Sequence, residues 1–199
     1  MKSSMTGKWI FICGPSGVGK DSVIAWSITA LASQSSIVFA RRMVTRTAQP
    51  GSDDEAINEH DFLSLRQSGG LCWYWQAHGF HYGISQHYVS VVSAGGTVVI
   101  NGSRNHVDGL SASLDVKRVD ITANPEKIKA RLAQRGRDTP QAILQRLKRN
   151  AELGQLDPSK ADLSIHNDAE LAEAGTRLAA YLTIQAGINV PLARSITTT

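Results

Sequence analysis

The run Gly14-Pro15-Ser16-Gly17-Val18-Gly19-Lys20-Asp21-Ser22 carries the most legible chemistry in this chain. It matches the phosphate-loop pattern G-x-x-x-x-G-K-[ST] everywhere but its last position, where Asp21 replaces the hydroxyl residue. The glycines let successive backbone N–H groups turn inward around phosphate oxygens. The helix that follows presents its positive end to the same anion, and Lys20 reaches the β- and γ-phosphates as a point charge. The expected chemistry is phosphoryl transfer with ATP as donor. A glycine-rich turn is the plain alternative, disfavoured by the apolar strand before the loop and the helix after it. Asp21 leaves two readings open. Its carboxylate is a hard oxygen ligand for Mg²⁺, or it is a first-turn charge that suits the helix dipole while Ser22 or waters serve the metal.

The surrounding pattern supplies the elements such a loop needs. Residues 9–13 are a short apolar run of the buried parallel-strand kind. Residues 21–33 set Val23, Ile24, Ile28 and Leu31 at helical spacing. Further strands are expected at 37–40, 97–100, 116–121 and 163–166. Asn124 before Pro125 marks a helix to about 134, Thr139-Pro140 another to about 153, and Asn167-Asp168 a final helix to about 182. Residues 48–60 read as a loop or flap, 61–67 as a short helix closed by Gly69-Gly70, and 73–84 as strand hairpins. Strands alternating with helices imply an α/β P-loop NTPase three-layer sandwich, with a parallel central sheet and ligands at its carboxyl ends. We expect one domain over 1–199: core 8–47, 94–134 and 150–182, an acceptor-binding region at 41–93, a lid at 135–149, and a loose tail at 184–199.

Bulk properties narrow the class. The chain has 199 residues, 42% hydrophobic and 19% charged, which suits a globule with a sizeable core. A net charge of +4 fits either an anionic ligand or solvated surface. Arginines cluster at 41–46 and 131–149 and follow the phosphate motifs, so no separate basic face for nucleic acid is expected. Cys13 and Cys72 lack metal-ligand spacing and read as buried thiols. The six histidines show no ligand pattern, and His60 and His81 read as structural or exposed. Trp73, Tyr74 and Trp75 read as core packing or a pocket wall, while Asp108 and Glu55 carry no motif. Arg41, Arg131 and Arg149 read as surface or supporting residues. No signal peptide or spanning run is apparent, so a cytoplasmic protein without a membrane partner is expected.

With the loop, Thr45-Arg46, His78-Gly79-x-x-Tyr82-Gly83 and Arg135-Gly136-Arg137 in order, residues 8–182 resemble the guanylate kinase family. The resemblance implies that Arg46 and Tyr82 hold the acceptor's phosphate. It implies that Arg135, Arg137 and Arg146 are lid and γ-phosphate arginines, and that Asn167 meets the adenine. Guanine-reading carboxylates are missing: Trp73, with Gln76 nearby, stands at one such position and Ser103 near the other. Arg42 replaces a serine, and Gln49 replaces a second phosphate arginine. A site built on buried hydrogen bonds to guanine is not expected to lose both carboxylates. Arg41-Arg42-x-Val-Thr45-Arg46, the Glu59-x-Asp61 neighbourhood and Asn101-Gly102-Ser103-Arg104 resemble the branch that phosphorylates ribose 1,5-bisphosphate in bacterial phosphonate breakdown. That implies Arg42, Ser103 and Arg104 as further acceptor ligands and phosphoribosyl diphosphate as product. A guanylate-type nucleoside monophosphate kinase and a non-catalytic guanylate-kinase-like binding module are the competing readings.

Overall fold

The structure, a computed structural model, describes residues 7–47, 53–77, 79–110, 114–134, 136, 139–152 and 160–188, without the side chains of 142, 146 and 149–152. Strand β1 (Lys8–Cys13) is the middle of a five-stranded parallel sheet of order β2-β7-β1-β8-β9, with β2 at Ile37–Phe39, β7 at Thr97–Asn101, β8 at Val116–Thr122 and β9 at Leu163–His166. Successive side chains of a strand point to opposite faces, and β1 shows the consequence. Ile10 and Ile12 pack with Val23, Ile128, Leu132 and Leu178 of the helices α1 (Lys20–Ala30), α5 (Pro125–Gln134) and α7 (Leu171–Gln185). Phe11 and Cys13 face the other way, into a second core with Trp75, Tyr82, Ile84 and Tyr88. Helices α1 and α7 approach closely because position 175 is glycine: a Cβ there would lie 2.4 Å from the Trp26 ring.

The second core joins the parallel sheet to a smaller four-stranded sheet of order β4-β3-β6-β5. Here β3 is Met43–Val44, β4 is Glu55–Ala56, β5 is Leu71–Ala77 and β6 is Phe80–Ser85. The β5–β6 hairpin is the one expected from the aromatic run. The stretch expected as loop holds more order than that: β4 pairs in parallel with β3, and Asn58 caps α2 (Glu59–Gln67) by accepting from the Asp61 N–H. Two helices escape the sequence pattern, α3 (Tyr88–Ser93) and α4 (Arg104–Asp108), both too short to show a helical period. Helix α6 (Pro140–Glu152) follows the Thr139-Pro140 signal.

The last helix corrects an expectation. Asn167 does not cap it; the Asn167 N–H extends the β8–β9 ladder by donating to Thr122 O at 2.8 Å, and Glu170 occupies the N-cap. Asp168 instead accepts from the Asn124 N–H at 2.7 Å. The helix also runs to Gln185, past the start of the expected tail, of which 189–199 lie outside the described residues. Among the described residues, no helix is long and apolar enough to cross a membrane.

Candidate active site

The loop is held by strain-tolerant glycines and braced from beneath. Gly19 sits at φ 93°, and a Cβ there would come 2.6 Å from Asn167 Nδ2. Asn167 is 4% exposed and donates Nδ2–H to Val18 O at 2.9 Å. Arg131 donates to the same carbonyl (3.2 Å) and to Asn167 O (2.7 Å). Asn167, expected against the adenine, and Arg131, expected as a surface or supporting residue, both hold the loop through the Val18 carbonyl. Lys20 Nζ donates to Gly14 O at 2.9 Å and Pro15 O at 3.2 Å. Burial, assisted by the charges of Arg42 and Arg104, lowers the Lys20 ammonium to a pKa of about 8, against opposing help from Asp21.

In front of the loop lies a cleft of about 630 Å³ at the carboxyl ends of β1 and β7. Gly14, Pro15, Ser16, Lys20 and Asp21 form one side, and Arg42, Arg46, Tyr82, Ser103 and Arg104 reach it from the other. Residues far apart in sequence, expected on the two halves of one site, therefore share one cavity. Its charged lining among the described residues is four cations against the single carboxylate of Asp21. Trp75 and Gln76 form the wall, Trp75 stacked on Tyr82 at 5.5 Å and on His106 at 5.0 Å. Trp73 instead packs edge-on to Trp9 and Phe11 in the second core, and Tyr74 is exposed beneath the Arg66 guanidinium.

The arginines across the cleft from the loop have distinct partners. Arg42 donates Nε–H and Nη2–H to Asp54 at 2.8 and 3.2 Å, and Nη1–H to Asn101 O at 2.9 Å. Arg46 donates to Asp54 at 2.8 Å. Asn101 also donates Nδ2–H to Asp21 at 2.6 Å, so one residue touches both the loop's carboxylate and Arg42 across the cleft. Arg104 Nη1 is buried with no hydrogen-bond partner among the described residues, and burial lowers that guanidinium's pKa. Such an orphaned cation is what an incoming anion satisfies. Among the described residues the Arg41 side chain reaches Asp53 at the surface, while its backbone N–H donates to the Tyr88 hydroxyl at 2.9 Å.

Behind the site, Arg118 (3% exposed) and Asp120 (1%) form a paired fork at 2.9 and 2.6 Å, and Arg118 Nη1 donates to Asp108 at 2.6 Å. This ties α4, which follows Ser103, to the central sheet. Cys13 beside it is a buried thiol, its pKa pushed up to about 12 by burial and then by Asp120. Burial likewise raises Cys72 to about 11. His60 is exposed beside Asp61, and His81 stacks on Phe62 at 5.4 Å. No group of His, Cys, Asp and Glu among the described residues is arranged to hold a metal by itself.

Arg135, Arg137, His78, Gln49 and the Arg146 side chain lie outside the described residues. No sequence motif pointed to Asp54, to the bridging part of Asn101, or to the Arg118–Asp120–Asp108 network. Only the last had a signal of another kind: Arg118 and Asp120 are two apart on a strand, hence on one face.

No family model matches the chain. It is 34% identical over 186 residues to the ribose 1,5-bisphosphate phosphokinase PhnN of Agrobacterium fabrum, covering 92% of this chain and 100% of that protein. It is 37% identical over 191 residues to the protein of that name from Pseudofrankia inefficax, covering 94% and 95%. Among solved structures, guanylate kinase from Anaplasma phagocytophilum superposes with a TM-score of 0.65 at 16% identity, over 91% of this chain and 87% of that one. The structural likeness shows the fold, and the sequence identity shows the relationship. On both, the chain is a guanylate-kinase-like α/β phosphotransferase and belongs to the ribose 1,5-bisphosphate phosphokinase family.

Proposed function

We propose that this enzyme transfers the γ-phosphoryl group of ATP to the 1-phosphate of ribose 1,5-bisphosphate, giving phosphoribosyl diphosphate and ADP in phosphonate catabolism. The observation that carries the reading is the charge of the cleft: Lys20, Arg42, Arg46 and Arg104 oppose one carboxylate, which belongs to the donor side. A carboxylate on that side would suit the N–H donors of a guanine edge; a baseless bisphosphate is served by cations.

The chemistry follows from that arrangement. An oxygen of the acceptor's 1-phosphate forms the new P–O bond, the β–γ bridging P–O bond breaks, and its electron pair leaves on ADP. The acceptor is already an oxyanion, so no general base is required. What the protein must do is align two polyanions and offset their repulsion. The loop's N–H groups and Lys20 take the donor phosphates, while Arg42, Arg46, Arg104, Ser103 and Tyr82 take the acceptor. The residues fit a magnesium ion: Asp21 offers a hard oxygen at the cleft, steadied by Asn101. Such an ion would supply positive charge to offset that of the donor's phosphate oxygens. Arg135, Arg137 and Arg146 belong to this proposal as lid residues over ATP.

The test incubates enzyme, Mg²⁺, ATP and ribose 1,5-bisphosphate and measures phosphoribosyl diphosphate, with GMP as parallel acceptor. Product from the sugar at a rate well above GMP phosphorylation is expected. Turnover of GMP without turnover of the sugar overturns the reading.

A further inference from the structure

Asp54 has no place in the phosphate loop and no motif of its own, yet it is among the best-held carboxylates near the cleft. Its side chain is 9% exposed. It accepts two hydrogen bonds from Arg42 (2.8 and 3.2 Å) and one from Arg46 (2.8 Å). Both arginines line the cleft; Asp54 does not. It lines a smaller hollow with Ile24, Phe39 and Val99, which adjoins the cleft at Asp21, Arg42 and Asn101. The carboxylate therefore stands behind the two guanidinium groups, away from the space where an acceptor enters.

We propose that Asp54 is the positioning residue of the acceptor site, fixing the forks of Arg42 and Arg46 so that their remaining N–H groups face the acceptor's phosphate. This rests on the assignment of those arginines to the acceptor. Two guanidinium groups side by side repel each other, and a shared carboxylate offsets that repulsion in the empty cleft. Arg42 shows how complete the restraint is. Nε and Nη2 are held by Asp54, Nη1 by Asn101 O, and the group lies 5.5 Å over the Tyr82 ring. A guanidinium held on three edges loses little freedom when phosphate binds, which favours affinity. The position also links the β3–β4 ladder to the site, since Glu55 N donates to Arg42 O at 2.7 Å.

The experiment compares wild type with Asp54→Asn, which keeps the shape and removes the charge, and Asp54→Glu, which keeps the charge. Each is measured for acceptor KM, ATP KM, kcat and thermal midpoint. For Asp54→Asn the acceptor KM should rise roughly tenfold or more, the size expected when charge-assisted hydrogen bonds are weakened. The ATP KM should stay within about threefold, and Asp54→Glu should recover part of the loss. An unchanged or lowered acceptor KM in Asp54→Asn overturns the proposal, as does an equal rise for both substrates. Double-mutant cycles with Arg42→Ala and with Arg46→Ala add a check against a purely structural effect. If Asp54 acts through Arg42 and Arg46, its substitution costs less in an Arg42→Ala or an Arg46→Ala background, and a cost undiminished in both overturns the proposal. All arms run with ribose 1,5-bisphosphate and with GMP. Should wild type prefer GMP, the acceptor assignment fails while the Asp54 prediction is still read on GMP.

Discussion

Raising the pH is the cleanest perturbation of the donor half-site, because Lys20 is poised to lose its charge. Its ammonium falls from 10.5 to about 8 through burial, with Asp21 opposing the fall and Arg42 and Arg104 adding to it. At 1.36 kcal/mol per unit, that drop corresponds to roughly 3 kcal/mol held against the charged form in the empty loop. A bound triphosphate favours the cation and raises the pKa again. The sign is therefore fixed: affinity for ATP is full below the empty-loop pKa and falls as pH rises through it. One unit above about 8, only about a tenth of the free protein carries the charge, so the Kd rises about tenfold by pH 9 relative to pH 7. The two cysteines do not confuse the profile, since burial places Cys13 near 12 and Cys72 near 11. Titration calorimetry across pH 6.5–9.5 measures both the Kd and the protons taken up, the latter from its dependence on buffer ionisation heat. Lys20→Arg keeps its charge throughout and should flatten the profile. A flat wild-type profile to pH 9.5, or the same fall in Lys20→Arg, refutes the reasoning.

Arg118→Met leaves Asp120 buried without its cation, a change that costs about 3–5 kcal/mol; at this size the thermal midpoint should fall by about 6 °C or more. A loss under about 1 kcal/mol in urea unfolding would mean the fork is dispensable. Because Arg118 also holds Asp108 on α4, the acceptor KM should rise in the same variant. Asp21→Asn should raise the Mg²⁺ concentration needed for half-maximal rate, and Asn101→Ala, which releases Asp21, should shift it the same way. Unchanged Mg²⁺ profiles in both would assign Asp21 to the helix dipole alone.

Much of the donor half-site is legible in the amino-acid sequence because it is local. A phosphate loop needs glycines, a lysine and a helix start within nine consecutive positions, and all lie between Gly14 and Ser22. The proposed acceptor half-site is legible only through the order of short motifs along the chain. Arg42, Arg46, Tyr82, Ser103 and Arg104 do converge on one cleft, but no local rule says that they must. The short helices α3 and α4 escape the pattern because five or six residues do not establish a period of 3.6. Asn167 has the look of a helix cap, an expectation that fails because pairing to Thr122 O claims its backbone.

The reaction type can be read from the chain before it is folded. Loop chemistry and strand–helix alternation depend on residues within a few positions of one another, and those interactions survive any uncertainty about the rest of the chain. Tertiary structure alone decided how the cations are held. Asp54 lies in a polar stretch indistinguishable from other loop residues until β4 pairs with β3 and sets it behind Arg42 and Arg46. Asn101 ends a strand, and only the sheet order brings it against Asp21 and Arg42 together. A carboxylate's effect depends on its distance from a charge and on the water excluded between them. Spacing along the chain carries neither quantity.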